Sequence, residues 1–148
     1  MDEGGVSLIC SLLGPNTSVL EYGAGGSTTF FSQFVHSWVS IEHNPAWARE
    51  VDRTLANLPW GDRVKVYTVL PDTEFREGRS DGTEEQFHSY LHYPGTLGMT
   101  YDLVINDGRA RVGVSRALIQ DNILASRDSR VVVHDWDRLP YGAMVTQV

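Results

Sequence analysis

Lysine is almost missing from this chain. Lys65 is the only one in 148 residues, and 12 Lys and Arg stand against 19 Asp and Glu, for a formal charge of −7. Neutralising a phosphate backbone takes a basic surface, so nucleic acid is not an expected partner. Cysteine is as scarce. Cys10 stands alone, which excludes an intramolecular disulfide and a cysteine zinc site and suits a reducing, cytoplasmic setting. No stretch approaches the roughly 20 apolar residues of a membrane span, so no membrane partner is expected. The apolar run Val6 to Leu13 is short and follows an acidic Met1-Asp2-Glu3, unlike a secretory signal, and reads as a helix beside the first strand. Internal repeats and low-complexity tracts are also lacking. What remains, with 41% hydrophobic residues, has the makings of one globular domain over residues 1–148.

Strand and helix patterns alternate along it, which predicts an α/β fold with a mostly parallel sheet and helices on both faces. Strands are expected at Ser18 to Tyr22, Trp38 to Glu42, Arg63 to Val69, Tyr101 to Asn106 and Arg130 to His134. Helices are expected from Thr28 to about His36, with Phe30, Phe31 and Phe34 on the apolar side, and from Arg111 to about Ala125. Asn44-Pro45 starts another, on which Trp47, Val51, Leu55 and Leu58 share a face that reads as core. From Leu70 to Met99 the rhythm breaks into a polar, glycine-rich loop, placed to act as a lid or substrate selector. Thr83 to Gln86 has capping-box spacing, and Phe87, Tyr90 and Leu91 then share a short helical face.

The chemistry concentrates at strand ends. After the first strand, Gly23, Gly25 and Gly26 let the backbone turn sharply and approach a ligand closely. Ser27 and Thr28 are N-cap candidates for the next helix, and Glu42 ends the second strand with oxygens suited to a ribose diol. A dinucleotide fingerprint wants a further glycine where Thr28 stands, which disfavours an NAD-dependent oxidoreductase. Glu21-Tyr-Gly23-Ala-Gly25-Gly26-Ser-Thr instead resembles the first motif of the class I S-adenosylmethionine-dependent methyltransferases, in an E-x-G-x-G-G-S-T form, with Ser27 in place of a third glycine.

The resemblance implies a Rossmann-like sheet of order 3-2-1-4-5 in a single methyltransferase-like domain, with S-adenosylmethionine as cofactor. Its methionine half is then expected over Glu21, Gly23, Ala24, Gly25, Gly26, Ser27 and Thr28, its ribose on Glu42, and its adenine amine near Asp72. Tyr101 to Arg111 resembles the fourth motif of the family, and Val131 to Arg138 ends in a similar polar cluster. Asp107, His134 and Asp135 are the candidate proton acceptors; of these the histidine has the ordinary pKa nearest neutrality. The same three side chains also allow a divalent-metal reading, but three ligands on two strand ends do not define a site, and no metal is expected.

Arg109 and Arg111 are candidates for holding a substrate carboxylate or phosphate, or equally for pairing with nearby acids, and with Arg116 they form a local basic group that also reads as a solvated helix face. Tyr22, Tyr90, Tyr93 and Trp136 can stack a planar substrate or fill the core. The family carries two more strands after the fifth, whereas here Val148 follows Trp136 by a dozen residues. Strands 6 and 7 are therefore expected to be missing or shortened. The apolar Val131 to Val133 would then lie at an edge, open to the tail Ala143 to Val148 or to a second copy in a homo-oligomer. The function expected is methyl transfer to oxygen or nitrogen of a small molecule. The alternative is a catalytically inactive nucleoside-binding or assembly domain.

Overall fold

The structure, a computed structural model, describes residues 3–76, 78 and 80–135. Five parallel strands form one sheet in the order β3-β2-β1-β4-β5: β1 Ser18–Tyr22, β2 Ser37–Glu42, β3 Val64–Thr68, β4 Leu103–Asn106 and β5 Arg130–Val133. This is the expected order. Sequential strands run outward from β1 to β3, and the chain then crosses back to β4 on the other side, so the order reverses between β1 and β4. Ligands of open α/β sheets bind at the carboxyl ends beside such a reversal.

Alternation along the strands divides the core in two. Val19 of β1, with Leu103 and Ile105 of β4, faces Ile9, Phe31, Val51 and Leu55 from α1 (Glu3–Leu12), α2 (Gly26–Phe31) and α3 (Pro45–Leu55). Leu20 and Val104 point the other way, toward Tyr90 and Leu91 of α4 (His88–His92) and Val114 and Leu118 of α5 (Arg111–Gln120). Strands covered on both faces read as nearly continuous apolar runs, which is why β1 and β4 are legible in sequence, whereas the edge strand β5 is legible from its β-branched run Val131 to Val133.

Several elements differ from expectation by more than one residue at an end. The helix expected from Thr28 to His36 begins at Gly26 and becomes a 3-10 turn at Ser32–Phe34. Only Phe31 of its three phenylalanines is buried, while Phe30 and Phe34 are 53% and 45% exposed, because so short a helix presents a single turn to the sheet. The helix after Arg111 stops at Gln120, just before Asn122 takes a left-handed conformation (φ 50°) that breaks the helical path. In β4, Tyr101 forms only an isolated bridge to Leu124, and the carboxylate of Asp102 instead accepts the Ser18 amide at 2.9 Å. The Thr83–Gln86 capping box does form, through Thr83 N to Gln86 Oε1 (3.0 Å) and Gln86 N to Thr83 Oγ1 (3.2 Å). Trp136, Arg138 and the tail Ala143 to Val148 lie outside the described residues.

Candidate functional site

Gly23 leaves β1 with φ +88°, its amide donating to Ile41 O at 2.8 Å. A Cβ there would stand 2.8 Å from Asp107 O, so the β1–α2 and β4–α5 turns meet backbone to backbone. Gly108 is equally tight. A Cβ on it would run into the Tyr90 hydroxyl and come within 2.9 Å of Tyr22 C and 3.0 Å of Gly23 N. Gly108→Ala is accordingly expected to cost about 1–3 kcal/mol of stability through overpacking. Thermal denaturation checks this, and an unchanged melting temperature would contradict the close approach. Gly25 and Gly26 are the reverse case, with open space where a Cβ would lie.

Glu21 lies beneath this turn, fully buried. Its carboxylate accepts from the Ser27 hydroxyl, Thr28 Oγ1 (2.5 Å), Ser40 Oγ (2.7 Å) and Trp38 Nε1 (3.0 Å). Burial raises its pKa, and the four donors oppose that rise only in part. Ser27 and Thr28 are therefore not N-caps. Gly25 is the N-cap, and Thr28, three residues on, accepts its amide at 2.8 Å. Glu21 and Thr28 support the glycine turn from below, while Gly23, Ala24, Gly25, Gly26 and Ser27 line the cleft above.

Glu42, 3% exposed, faces the same cleft. Its Oε2 accepts Ala24 N at 3.0 Å and its Oε1 accepts Asn44 N at 2.7 Å, so one carboxylate ties the two turns together and fixes its own direction. Asn44 in turn caps α3 through Ala46 N and Trp47 N, and Pro45 follows at the first helical position. The first turn of α3 is thereby set against the cleft, and this corrects the reading of Trp47 as core. Its indole donates to Ala24 O at 2.7 Å and remains 49% exposed along the cleft wall. The signal was its place two residues after Asn44-Pro45 rather than its apolar spacing.

On the other side, Asp107, Arg109 and Arg111 line the cleft. Asp107 Oδ1 pairs with His134 Nδ1 at 2.8 Å and with Arg111 Nη2 at 3.0 Å, and Asp135 Oδ1 lies farther from the same imidazole nitrogen, at 3.5 Å. The structure thus brings Asp107, His134 and Asp135 together, with only Asp107 in the cleft wall. Among the described residues no group of three or more His, Cys, Asp or Glu side chains is arranged to hold a metal ion.

The arginines face the Leu70 to Met99 segment. Arg109 stacks over Phe75 (5.4 Å to the ring centre) and donates to Ser80 O at 3.2 Å. Arg111 pairs with Asp81, and Arg116 with Glu84. Of the two sequence readings, substrate holding and pairing with nearby acids, the second describes Arg111 and Arg116, which fasten this segment, and Arg111 is only 6% exposed. Asp72, unlike Arg109 and Arg111, is outside the cleft lining. Its carboxylate takes the Ser89 amide (2.8 Å) and hydroxyl, which hold its pKa below the usual range. An Asp after Pro71 here anchors the loop to the start of α4, the ordinary turn role of that residue.

The cleft encloses 820 Å³, within the range of small-molecule sites. No family model matches the chain, and no curated protein matches it. Solved structures do. A methyltransferase-like protein from Silicibacter pomeroyi superposes with a TM-score of 0.64 at 27% identity, over 79% of this chain and 64% of its own. The precorrin 8w decarboxylase of Methanobacterium thermoautotrophicum gives 0.62 at 17% identity over 90% of this chain and 62% of its own. A SAM-dependent methyltransferase from Thiobacillus denitrificans, in complex with S-adenosyl-L-homocysteine, gives 0.57 at 13% identity over 90% and 48%. The chain therefore spans about half to two thirds of the length of these structures. With its five parallel strands in the order β3-β2-β1-β4-β5, the chain has a Rossmann-like α/β fold, similar to that of the S-adenosylmethionine-dependent methyltransferases among these structures.

Proposed function

We propose that the chain binds S-adenosylmethionine in this cleft and transfers the methyl group to oxygen or nitrogen of a small molecule. The observation that carries the reading is the pairing of Glu42 with an open glycine turn. Bare backbone at Gly25 and Gly26 leaves room for a ligand, and the buried Glu42 carboxylate, already oriented by two amides, keeps lone pairs for two vicinal hydroxyls. Gly23 to Ser27 would hold the methionine half, and Trp47 extends an aromatic wall beside the ribose acid. Similar folds supply the second support, because the structures from Thiobacillus denitrificans and Geobacter sulfurreducens that this chain resembles are complexes with S-adenosyl-L-homocysteine.

The cofactor supplies an electrophilic methyl carbon on a sulfonium, which leaves as a neutral thioether. The protein's share is to place the acceptor atom in line and to take its proton. Asp107 and His134 form the proton-accepting pair in this reading, with Asp135 behind them. Arg109, although braced by Phe75, is the substrate-facing cation of the cleft wall; Arg111 is committed to its carboxylates.

The test is calorimetric titration with S-adenosylmethionine, S-adenosylhomocysteine and NAD, followed by a screen for transfer of labelled methyl groups. Saturable binding of the two adenosyl compounds but not NAD is expected. Asp107→Ala should bind S-adenosylhomocysteine as the unaltered protein does and lose about 10²–10⁴-fold in transfer rate, the usual worth of general acid–base catalysis. A folded protein that binds neither adenosyl compound would sink the proposal. Binding without transfer to any acceptor would favour an inactive nucleoside-binding or assembly domain. For that role the outer strand β5, with Val131 40% exposed, offers a pairing edge to a second copy.

A further inference from the structure

The segment between β3 and α4 has little regular structure, yet it is pinned firmly at one residue. Asp81 Oδ2 accepts Arg111 N at 2.8 Å, Asp81 Oδ1 pairs with Arg111 Nη1 at 3.3 Å, and the Asp81 carbonyl accepts Ala110 N at 2.7 Å. These bonds meet the chain where Ala110 adopts a left-handed conformation (φ 48°, ψ 42°) before α5, so they help to hold a strained entry to that helix. The guanidinium then reaches the opposite way. Arg111 Nη2 donates to Asp107 Oδ1 at 3.0 Å, the same oxygen that faces His134 Nδ1 at 2.8 Å.

A guanidinium is a rigid plane, and one engaged by carboxylates at two of its nitrogens has little freedom to rotate. Arg111 is 6% exposed, so loss of one carboxylate would leave a desolvated charge to be compensated by the other. Any turn of Arg111 toward Asp107 competes directly with His134 for Asp107 Oδ1. The orientation of Asp107 is thus coupled to a residue on the irregular loop.

We infer that Asp81 is a positioning residue: acting through Arg111, it sets the Asp107 carboxylate against His134 and so keeps the imidazole proton on Nδ1 and the lone pair on Nε2. The inference rests on the reading of Asp107 and His134 as the proton-accepting pair. An ionised carboxylate can only accept, so Nδ1 must carry the hydrogen facing it, and the other ring nitrogen is left basic. On the imidazole, only a lone pair on Nε2 can receive the proton of an acceptor O–H or N–H, because the Nδ1 side is occupied by Asp107.

Long-range proton–nitrogen NMR of the histidine rings, recorded where the imidazole is neutral, reads this tautomer directly, and His134→Gln assigns the signal. Wild-type His134 is expected in the Nδ1–H form. Asp81→Asn is nearly isosteric and keeps an oxygen for the Arg111 amide, but its NH₂ group cannot accept from Nη1. In that variant the Nε2–H form should become the majority, and Asp81→Ala should show the same change. Binding of S-adenosylhomocysteine should be unchanged in Asp81→Asn, since Asp81 is not part of the cleft lining. Retention of the Nδ1–H form in Asp81→Asn overturns the inference, as does an Nε2–H form in the wild type. Failure of the wild type to bind S-adenosylhomocysteine overturns instead the reading on which it rests, while the tautomer arm still decides whether Asp81 positions the pair.

Discussion

Glu42→Ala is expected to weaken S-adenosylhomocysteine binding by about 100-fold. Two charge-assisted hydrogen bonds from ribose hydroxyls are worth about 1.5 kcal/mol or more each, together about 3 kcal/mol, and every 1.4 kcal/mol is tenfold in the dissociation constant. The carboxylate can make them because Ala24 N and Asn44 N already hold it in place, so little freedom is lost on binding. Glu42→Gln, which keeps one oxygen acceptor but loses the charge, should fall between the two. The alanine variant also strands two amides that close the turns, so circular dichroism must first establish that it is folded. Calorimetry on the folded variant then decides. Undiminished affinity would remove the ribose contact from the site.

The second large effect belongs to Glu21, and it is an effect on stability. Four donors converge on its buried carboxylate, and Glu21→Ala leaves them without their common acceptor. Each unsatisfied buried donor costs about 1–3 kcal/mol, part of which is recovered because the three hydroxyls can turn to one another; the expected net loss is about 4 kcal/mol. For a chain of this size that lowers the melting temperature by about 10 °C. The pH dependence has a definite sign. Burial raises the folded-state pKa of Glu21, so in this range the folded protein binds more protons than the unfolded chain. Its contribution is fully present below the unfolded value near 4.5 and is lost as pH rises through the folded pKa. Glu21→Gln cannot ionise and should remove this part of the profile, coming closer in stability to the wild type at pH 8 than at pH 5. Parallel melting curves for the two proteins across that range would show that Glu21 is not the group responsible.

Both residues were visible in the sequence, but for reasons that carried only half of their meaning. Glu21 was legible as an acid two residues before a glycine turn, and that spacing said nothing of which way the side chain points. Alternation along β1 decides this: Glu21 falls on the face toward α2, where Ser27, Thr28, Trp38 and Ser40 surround it. Glu42, at the end of β2, points at the cleft because Asn44 turns the chain immediately after it.

The sequence by itself determined the β/α alternation, the strand order through its family resemblance, the glycine turn and the acid that ends β2. Those features are local, since they depend on residue type, spacing and the few conformations a turn allows. Only the tertiary structure decided what the charged and aromatic residues face. Trp47 has the spacing of a core residue, but Pro45 and the Asn44 cap begin its helix at the cleft, and the indole is spent on the Ala24 carbonyl. The arginines after Asp107 have the composition of an anion site, but the irregular loop brings Phe75, Ser80, Asp81 and Glu84 against them. Nothing in the spacing of Asp81 and Arg111 announces their pairing. Such contacts join segments distant in the chain, and their geometry is set by how the whole sheet places its loops, which no local pattern records.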